Sequence, residues 1–121
     1  MERKYNKISK PQFDLLKEIV GKDFIFEEYE IRWTYAFGGS IFNKDWIPDL
    51  IIPPQGKNQI SEILKAANKN IIPVIPRGNG TSSSSKPLIP YGGMVSDLNW
   101  MNRIIEIDIE NNVVGVEPGI Y

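Results

Sequence analysis

The chain has 121 residues, the size of one domain or part of one. Its formal net charge of −1, with lysines scattered among acids, excludes a broad electrostatic surface for nucleic acid. The absence of cysteine and histidine excludes disulfides, thiolate metal sites, a cysteine nucleophile and the commonest general base within these residues.

The N-terminus, Met1-Glu2-Arg3-Lys4-Tyr5, leads into no apolar stretch, and no apolar run reaches membrane-spanning length. The expectation is a soluble, cytoplasmic protein without a membrane span. Ser9, Pro11 and Gln12 make a capping-box start, Phe13, Leu16, Ile19 and Val20 recur at helical spacing, and Gly21 suits the C-cap. This predicts a helix over 10–20. Phe24-Ile25-Phe26 reads as a short strand. Ile31 to Trp46 is rich in aromatics around Gly38-Gly39 and reads as a loop folded over the core, or else as a cofactor or substrate contact.

Asp49 to Pro54 reads as a buried strand closed by prolines. Ile60, Ile63, Leu64 and Ala67 mark one face of a helix over 57–69, which Asn70 can end. Ile71 to Ile75 reads as the next strand. Strand, helix and strand with short links imply parallel strands and a right-handed crossover. Further on, Met94-Val95 reads as a strand. Ile105, Ile107 and Ile109 alternate with Glu106 and Asp108, Asn111-Asn112 make a turn, and Val113 to Val116 return as a hairpin. The chain stops at Tyr121, two residues after the Pro118-Gly119 turn, and the expectation is an incomplete domain.

Between the strands lies Pro73-Val74-Ile75-Pro76-Arg77-Gly78-Asn79-Gly80-Thr81-Ser82. A β-branched run stops at a proline, and an arginine, two glycines and hydroxyls follow. Successive N–H groups can point into one concavity there, with Arg77, Thr81 and Ser82 adding charge-assisted and hydroxyl hydrogen bonds to a phosphate. Two common phosphate loops do not fit. Ser83 stands where the dinucleotide fingerprint needs its third glycine, and Lys86 follows Ser85 rather than a glycine, with Pro87 after it. A lone Gly-x-Gly is as readily a plain turn, and Ser82 to Ser85 a polar linker.

The ordered blocks are more specific. Pro48-Asp49-Leu50-Ile51-Ile52-Pro53, the glycine loop, Gly92-Gly93-Met94-Val95-Ser96-Asp97-Leu98-Asn99-Trp100-Met101-Asn102, Glu106-Ile107-Asp108 and Val116-Glu117-Pro118-Gly119 together resemble the FAD-linked oxidases of the vanillyl-alcohol oxidase (PCMH) type. Within them the chain is most similar to the glycolate oxidase and D-lactate dehydrogenase branch. The resemblance covers roughly residues 10–121 and implies an α/β (α+β) FAD-binding subdomain. It would have a small parallel βαβ unit followed by mixed strands and a hairpin, with 1–47 as lead-in and 48–121 as the first part of the FAD-binding domain.

The resemblance further implies that the loop carried by Pro76, Arg77, Gly78, Asn79, Gly80, Thr81 and Ser82 wraps the FAD pyrophosphate. It implies that Gly92, Gly93 and Met94 lie along the cofactor and that Asn99 falls near the flavin. Met101 keeps the methionine of the Asp-Leu-Ser-x-Met pattern, and Pro118 and Gly119 approach the cofactor. The chain departs from the pattern at Asn79, in place of the middle glycine, and at Asn99, in place of serine. Thr81 stands where some relatives attach FAD to histidine, so the expected cofactor is non-covalent FAD.

Read without the resemblance, Arg77 caps a strand end, Gly92-Gly93 is a bend, Asp97 caps the Leu98-Asn99 turn, and Asn99 and Met101 are turn and core. Glu117 has no visible partner. No catalytic residue and no metal ligand is assigned. The leading reading is the FAD-binding portion of a flavin oxidoreductase that oxidises a 2-hydroxy acid such as lactate or glycolate. The alternatives are a non-catalytic fragment or subunit needing a partner chain or self-association, and a small nucleotide-binding module.

Overall fold

A computed structural model of the chain describes residues 5–38, 41–42, 45–82 and 89–121. The expected polar linker over 82–85 therefore lies largely outside the described residues, as do the first three residues of the Lys86 to Gly93 stretch, whose composition reads as turns. In chain order the elements are α1 (Lys10–Val20), α2 (Tyr29–Thr34), β1 (Phe37–Gly38), β2 (Ile41–Phe42), β3 (Leu50–Ile52), α3 (Lys57–Asn70), β4 (Val74–Arg77), β5 (Met94–Asp97), β6 (Ile104–Asp108) and β7 (Val113–Val116).

The start of α1 follows its sequence signal. Ser9 and Gln12 form the reciprocal capping box, with the Ser9 N–H donating to Gln12 Oε1 at 2.8 Å, and the Gly21 N–H closes the other end on the Lys17 carbonyl. Helix α3 buries Ile63 and Ala67, whereas Leu64, expected on the same face, is 48% exposed. Its C-cap is Ile71, in the left-handed region at φ 54. The expected strand over Ile71 to Ile75 therefore begins three residues later. The lead-in chain serves this helix end: Asn6 donates its amide to the Asn70 carbonyl at 2.8 Å and its N–H to the Ile71 carbonyl at 3.0 Å.

The three parallel strands lie in the order β3-β5-β4. The strand–helix–strand unit is present, but its two strands are not neighbours. β5 enters between them, pairing Met94 with both Leu50 and Val74. Pro76 does not end β4 as expected. It is opposite Ser96 within the strand, a place open to proline because β4 is an edge.

Alternation along these strands makes two cores. Leu50, Ile52 and Met94 face α1 and α3 and pack with Leu16, Val20, Ile63, Ala67 and Ile72. Ile51 and Val95 face the other way, against Ile89, with Phe26, Ile31, Tyr35 and Ile75 around them. A parallel sheet covered on both faces needs such continuous apolar strands.

Two expectations for residues 22–47 change. Phe24-Ile25-Phe26 reduces to one antiparallel bridge, Phe26 to Ile51. The aromatic stretch contains a six-residue helix with no buried residue, and Trp33 and Phe37 stay 40% and 38% exposed. Ile31 and Tyr35 pack on the sheet instead, and Ala36 is fully buried. The hairpin β6–β7 forms as expected, antiparallel, with a bulge between Ile104 and Glu106.

Candidate cofactor site

In open parallel sheets ligands bind beyond the carboxyl ends of the strands. Here that edge gathers the ends of β4 and β5, with Arg77 opposite Asp97. The Arg77 carbonyl accepts the Leu98 N–H at 2.8 Å, and the chain after β5 turns on Asp97, whose Oδ1 accepts the Asn99 N–H at 3.1 Å. Asp97 is thus the cap of that turn. The turn at the end of the chain closes on the same edge. The Gly119 N–H donates to the Met101 carbonyl at 2.8 Å, and a Cβ on Gly119 would run into the Leu98 carbonyl. A Cβ on Gly78 would sit 3.2 Å from the Pro118 carbonyl, and Asn79 Nδ2 donates to the Ile120 carbonyl at 3.3 Å.

Of the expected site residues, Pro76 to Ser82, Asn99, Met101, Pro118 and Gly119 therefore converge on one edge. Gly92, Gly93 and Met94 do not. They sit at the opposite end of β5, a strand about 13 Å long at roughly 3.3 Å per residue. Met94 is wholly buried in the core. Gly93 is held by Asp49, whose Oδ2 accepts the Gly93 N–H at 2.8 Å and whose own N–H donates to the Gly93 carbonyl at 2.8 Å.

The loop after β4 borders a cleft of about 420 Å³ lined by Ile75 to Ser82, a size within the usual range of ligand sites. Among the described residues, none accepts a hydrogen bond from the backbone N–H of Gly78, Asn79, Gly80 or Thr81. Four successive N–H groups without an acceptor among the described residues suit a nest for an anion such as a pyrophosphate. Asn79 Oδ1 and Asn99 Oδ1, acceptors that suit a hydroxyl or N–H donor rather than a phosphate, are also buried without partners among the described residues. The residues present fit a dinucleotide's phosphates.

Arg77 makes contacts inside the protein as well as standing beside the loop. Its Nη1 donates to the Phe37 carbonyl at 2.8 Å and the Tyr35 carbonyl at 3.3 Å, and its guanidinium lies 5.2 Å from the centroid of the Tyr35 ring. Tyr35 in turn donates its hydroxyl to Asp97 Oδ2 at 2.7 Å. Burial, then this bond, pushes the phenol well above its ordinary value of 10.0, so it stays protonated and donating. Arg77, Tyr35 and Asp97 thus pin the aromatic segment to the glycine loop. Neither Tyr35 nor Asp49 stands out in the sequence as a site residue. The only signal for Asp49 was an acid directly before a buried strand.

Glu117 has a partner after all. Arg103 Nη2 donates to its Oε1 at 2.6 Å and the Arg103 N–H to its Oε2 at 3.0 Å. These bonds hold the Glu117 carboxyl below its ordinary 4.5. The sign follows: the stabilisation is full above pH 4.5 and is lost as pH falls through the lower folded value. Melting measured from about pH 6 down to about pH 3 should therefore fall less steeply for Glu117→Gln than for the native chain.

The FAD binding domain family matches residues 48–121. The chain belongs to that family. This FAD-binding domain is 38% identical over 113 residues to glycolate oxidase subunit GlcD of Bacillus subtilis, covering 93% of the chain and 24% of the relative. It is 32% identical over 117 residues to the mitochondrial D-lactate dehydrogenase [cytochrome] of Arabidopsis thaliana, covering 96% of the chain and 20% of the relative. Among solved structures, p-cresol methylhydroxylase superposes with a TM-score of 0.82 at 21% identity, covering 96% of this chain and 24% of that one. The last likeness shows the fold. The chain spans a quarter or less of the length of each of these proteins. Residues 48–121 are an FAD binding domain, and the expected α/β fold of the PCMH type holds. Among the described residues no helix is long and apolar enough to cross a membrane.

Proposed function

We propose that this chain holds FAD non-covalently along the carboxyl edge of β4 and β5, with the pyrophosphate on the N–H groups of Gly78 to Thr81. The observation that carries the reading is that run of donors without acceptors among the described residues, beside an open cleft. Asn99, Met101, Pro118 and Gly119 border the same edge. Gly92, Gly93 and Met94, at the far end of β5, serve the cofactor only by fixing the sheet that carries the loop. Thr81 at the attachment position, with no histidine or cysteine in the chain, supports non-covalent binding.

Bound FAD would supply two-electron redox chemistry, and the chain's own residues bind and orient it. The names of the two relatives, a D-lactate dehydrogenase and a glycolate oxidase subunit, support a 2-hydroxy acid as substrate of the complete enzyme. No residue of this chain is assigned a catalytic role. Residues 1–47 as lead-in, 48–121 as the cofactor-binding part, and a cytoplasmic location belong to the same proposal.

Titration of the purified chain with FAD, followed by flavin fluorescence and calorimetry, tests it. Saturable binding is expected, with all flavin released into the supernatant on acid denaturation. A chain that binds ATP and not FAD defeats the assignment, and flavin that stays with the denatured protein defeats the non-covalent part.

A further inference from the structure

Asn79-Gly80 is the one Asn-Gly pair in the chain. An asparagine before a glycine is open to attack on its own side chain, because the next backbone nitrogen can add to the amide carbon and glycine has no Cβ in the way. The loop favours that attack here. The Gly80 N–H has no acceptor among the described residues, so no hydrogen bond there holds its proton. Asn79 Nδ2 is held by a long bond, 3.3 Å to the Ile120 carbonyl, and its Oδ1 has no partner among the described residues. The Arg77 guanidinium lies over Gly80, 2.5 to 2.8 Å from where a Cβ would be. That cation stabilises the negative charge that builds on the nitrogen and on the amide oxygen during attack. Water reaches the loop through the cleft of about 420 Å³.

We propose that Asn79 is a self-modification site: in the cofactor-free chain it deamidates through a cyclic imide with Gly80, and the product no longer holds FAD well. The Gly80 nitrogen bonds to Asn79 Cγ and gives its proton to water or hydroxide. The Cγ–Nδ2 bond breaks and ammonia leaves. Water then opens the ring at either carbonyl, leaving aspartate or isoaspartate, with no change of oxidation state. Either product puts a carboxylate among N–H groups that suit an anion, where it competes for them and repels a pyrophosphate. Isoaspartate also lengthens the backbone between Gly78 and Gly80 by a methylene. The loss of FAD affinity rests on the cofactor reading above, whereas the modification itself does not. A Gly80 N–H that donates to a phosphate is not free to attack, so the loop ages only while it is empty.

The cofactor-free chain is incubated at neutral and mildly alkaline pH, with and without FAD, and followed by peptide mass mapping and isoaspartyl methyltransferase labelling. Asn79 is expected to convert ahead of Asn111 and Asn112, which are more exposed but precede a residue with a side chain. Conversion should speed up with pH, because the nitrogen must lose its proton. With FAD at about ten times its dissociation constant it should slow about tenfold, in step with the empty fraction. The aged chain, separated by ion exchange, should bind FAD about tenfold more weakly than the fresh one, or worse. Asn79→Asp should do the same, with circular dichroism confirming its fold. An Asn79 that stays an amide while Asn111 or Asn112 converts overturns the proposal. So does an aged chain that binds FAD like the fresh one. Conversion at an unchanged rate with FAD bound upholds the modification and overturns the seat of the pyrophosphate on Gly80. Conversion in a chain that takes up no FAD upholds the modification and overturns the cofactor reading.

Discussion

Gly93→Ala is expected to lower the melting temperature of the chain by roughly 10 °C or more. Gly93 sits at φ +91, where an L side chain is strained by about 1–2 kcal/mol. Its missing Cβ would also run into the Pro73 carbonyl oxygen and lie 2.9 Å from Pro73 Cβ. That carbonyl has no room to retreat, because it accepts the Met94 N–H at 2.9 Å where β4 and β5 begin to pair. Gly93 is fixed from the other side by both groups of Asp49. Forced overpacking adds about 1–3 kcal/mol, giving about 3 kcal/mol in all. Native domains hold only about 5–15 kcal/mol. Thermal unfolding by circular dichroism measures the loss. Gly115→Ala is the control, since its Cβ would meet Glu106 Cβ at an ordinary 3.6 Å. A Gly93→Ala chain that melts with the control would show that the register of β5 does not depend on this contact.

The largest effect on cofactor binding is expected from Gly80→Val, about a hundredfold loss of FAD affinity or more. From the sequence alone such a change would push a side chain into the pyrophosphate. The structure gives a different route. Gly80 stands at φ +67, and the first atoms a Cβ would meet are those of the Arg77 guanidinium, at 2.5 to 2.8 Å. The guanidinium must shift, which strains its bonds to the Phe37 and Tyr35 carbonyls and its place on the Tyr35 ring. The tie between the loop and the aromatic segment is loosened. A double-mutant cycle isolates this route. Gly80→Ala should weaken FAD binding less in an Arg77→Ala background than in the native one, because the obstacle is gone and only the backbone strain remains. Calorimetric titration of the four chains measures the coupling. Strictly additive losses would mean that Gly80 and Arg77 act on the cofactor separately.

What was legible in the sequence was whatever is encoded locally. The capping box of α1 names its own first turn, and the prolines around Leu50–Ile52 mark where that strand must stop. The converging edge of the site was legible through the order of its blocks rather than through any one glycine. Helix α2 was not legible, because six residues with no buried side chain and no side-chain cap carry no period to read. The position of β5 was not legible either. Parallel pairing is a long-range choice, and nothing near Met94 says that both its neighbours lie earlier in the chain. The carbonyls that Arg77 meets were not legible, because a sequence shows its charge and not its neighbours. Gly92 and Gly93 were placed along the cofactor by the resemblance, whereas a strand's length separates them from the loop. Glu117 lacked a partner on paper because Arg103 meets it only once the hairpin has closed.

The strand order has a consequence for how the chain acquires its shape. During synthesis, β3 and β4 emerge with no partner strand, and each waits for a third that lies beyond the glycine loop. Leu50 pairs with Met94, so the sheet cannot zip from one end as a hairpin does. It closes in one late event, after a long loop has lost its freedom. Until then the strongly apolar Leu50–Ile52 has an open edge on the side that β5 will take, while Phe26 bridges Ile51 on the other. The short length of that segment and the prolines after it limit what else it can pair with in the interval.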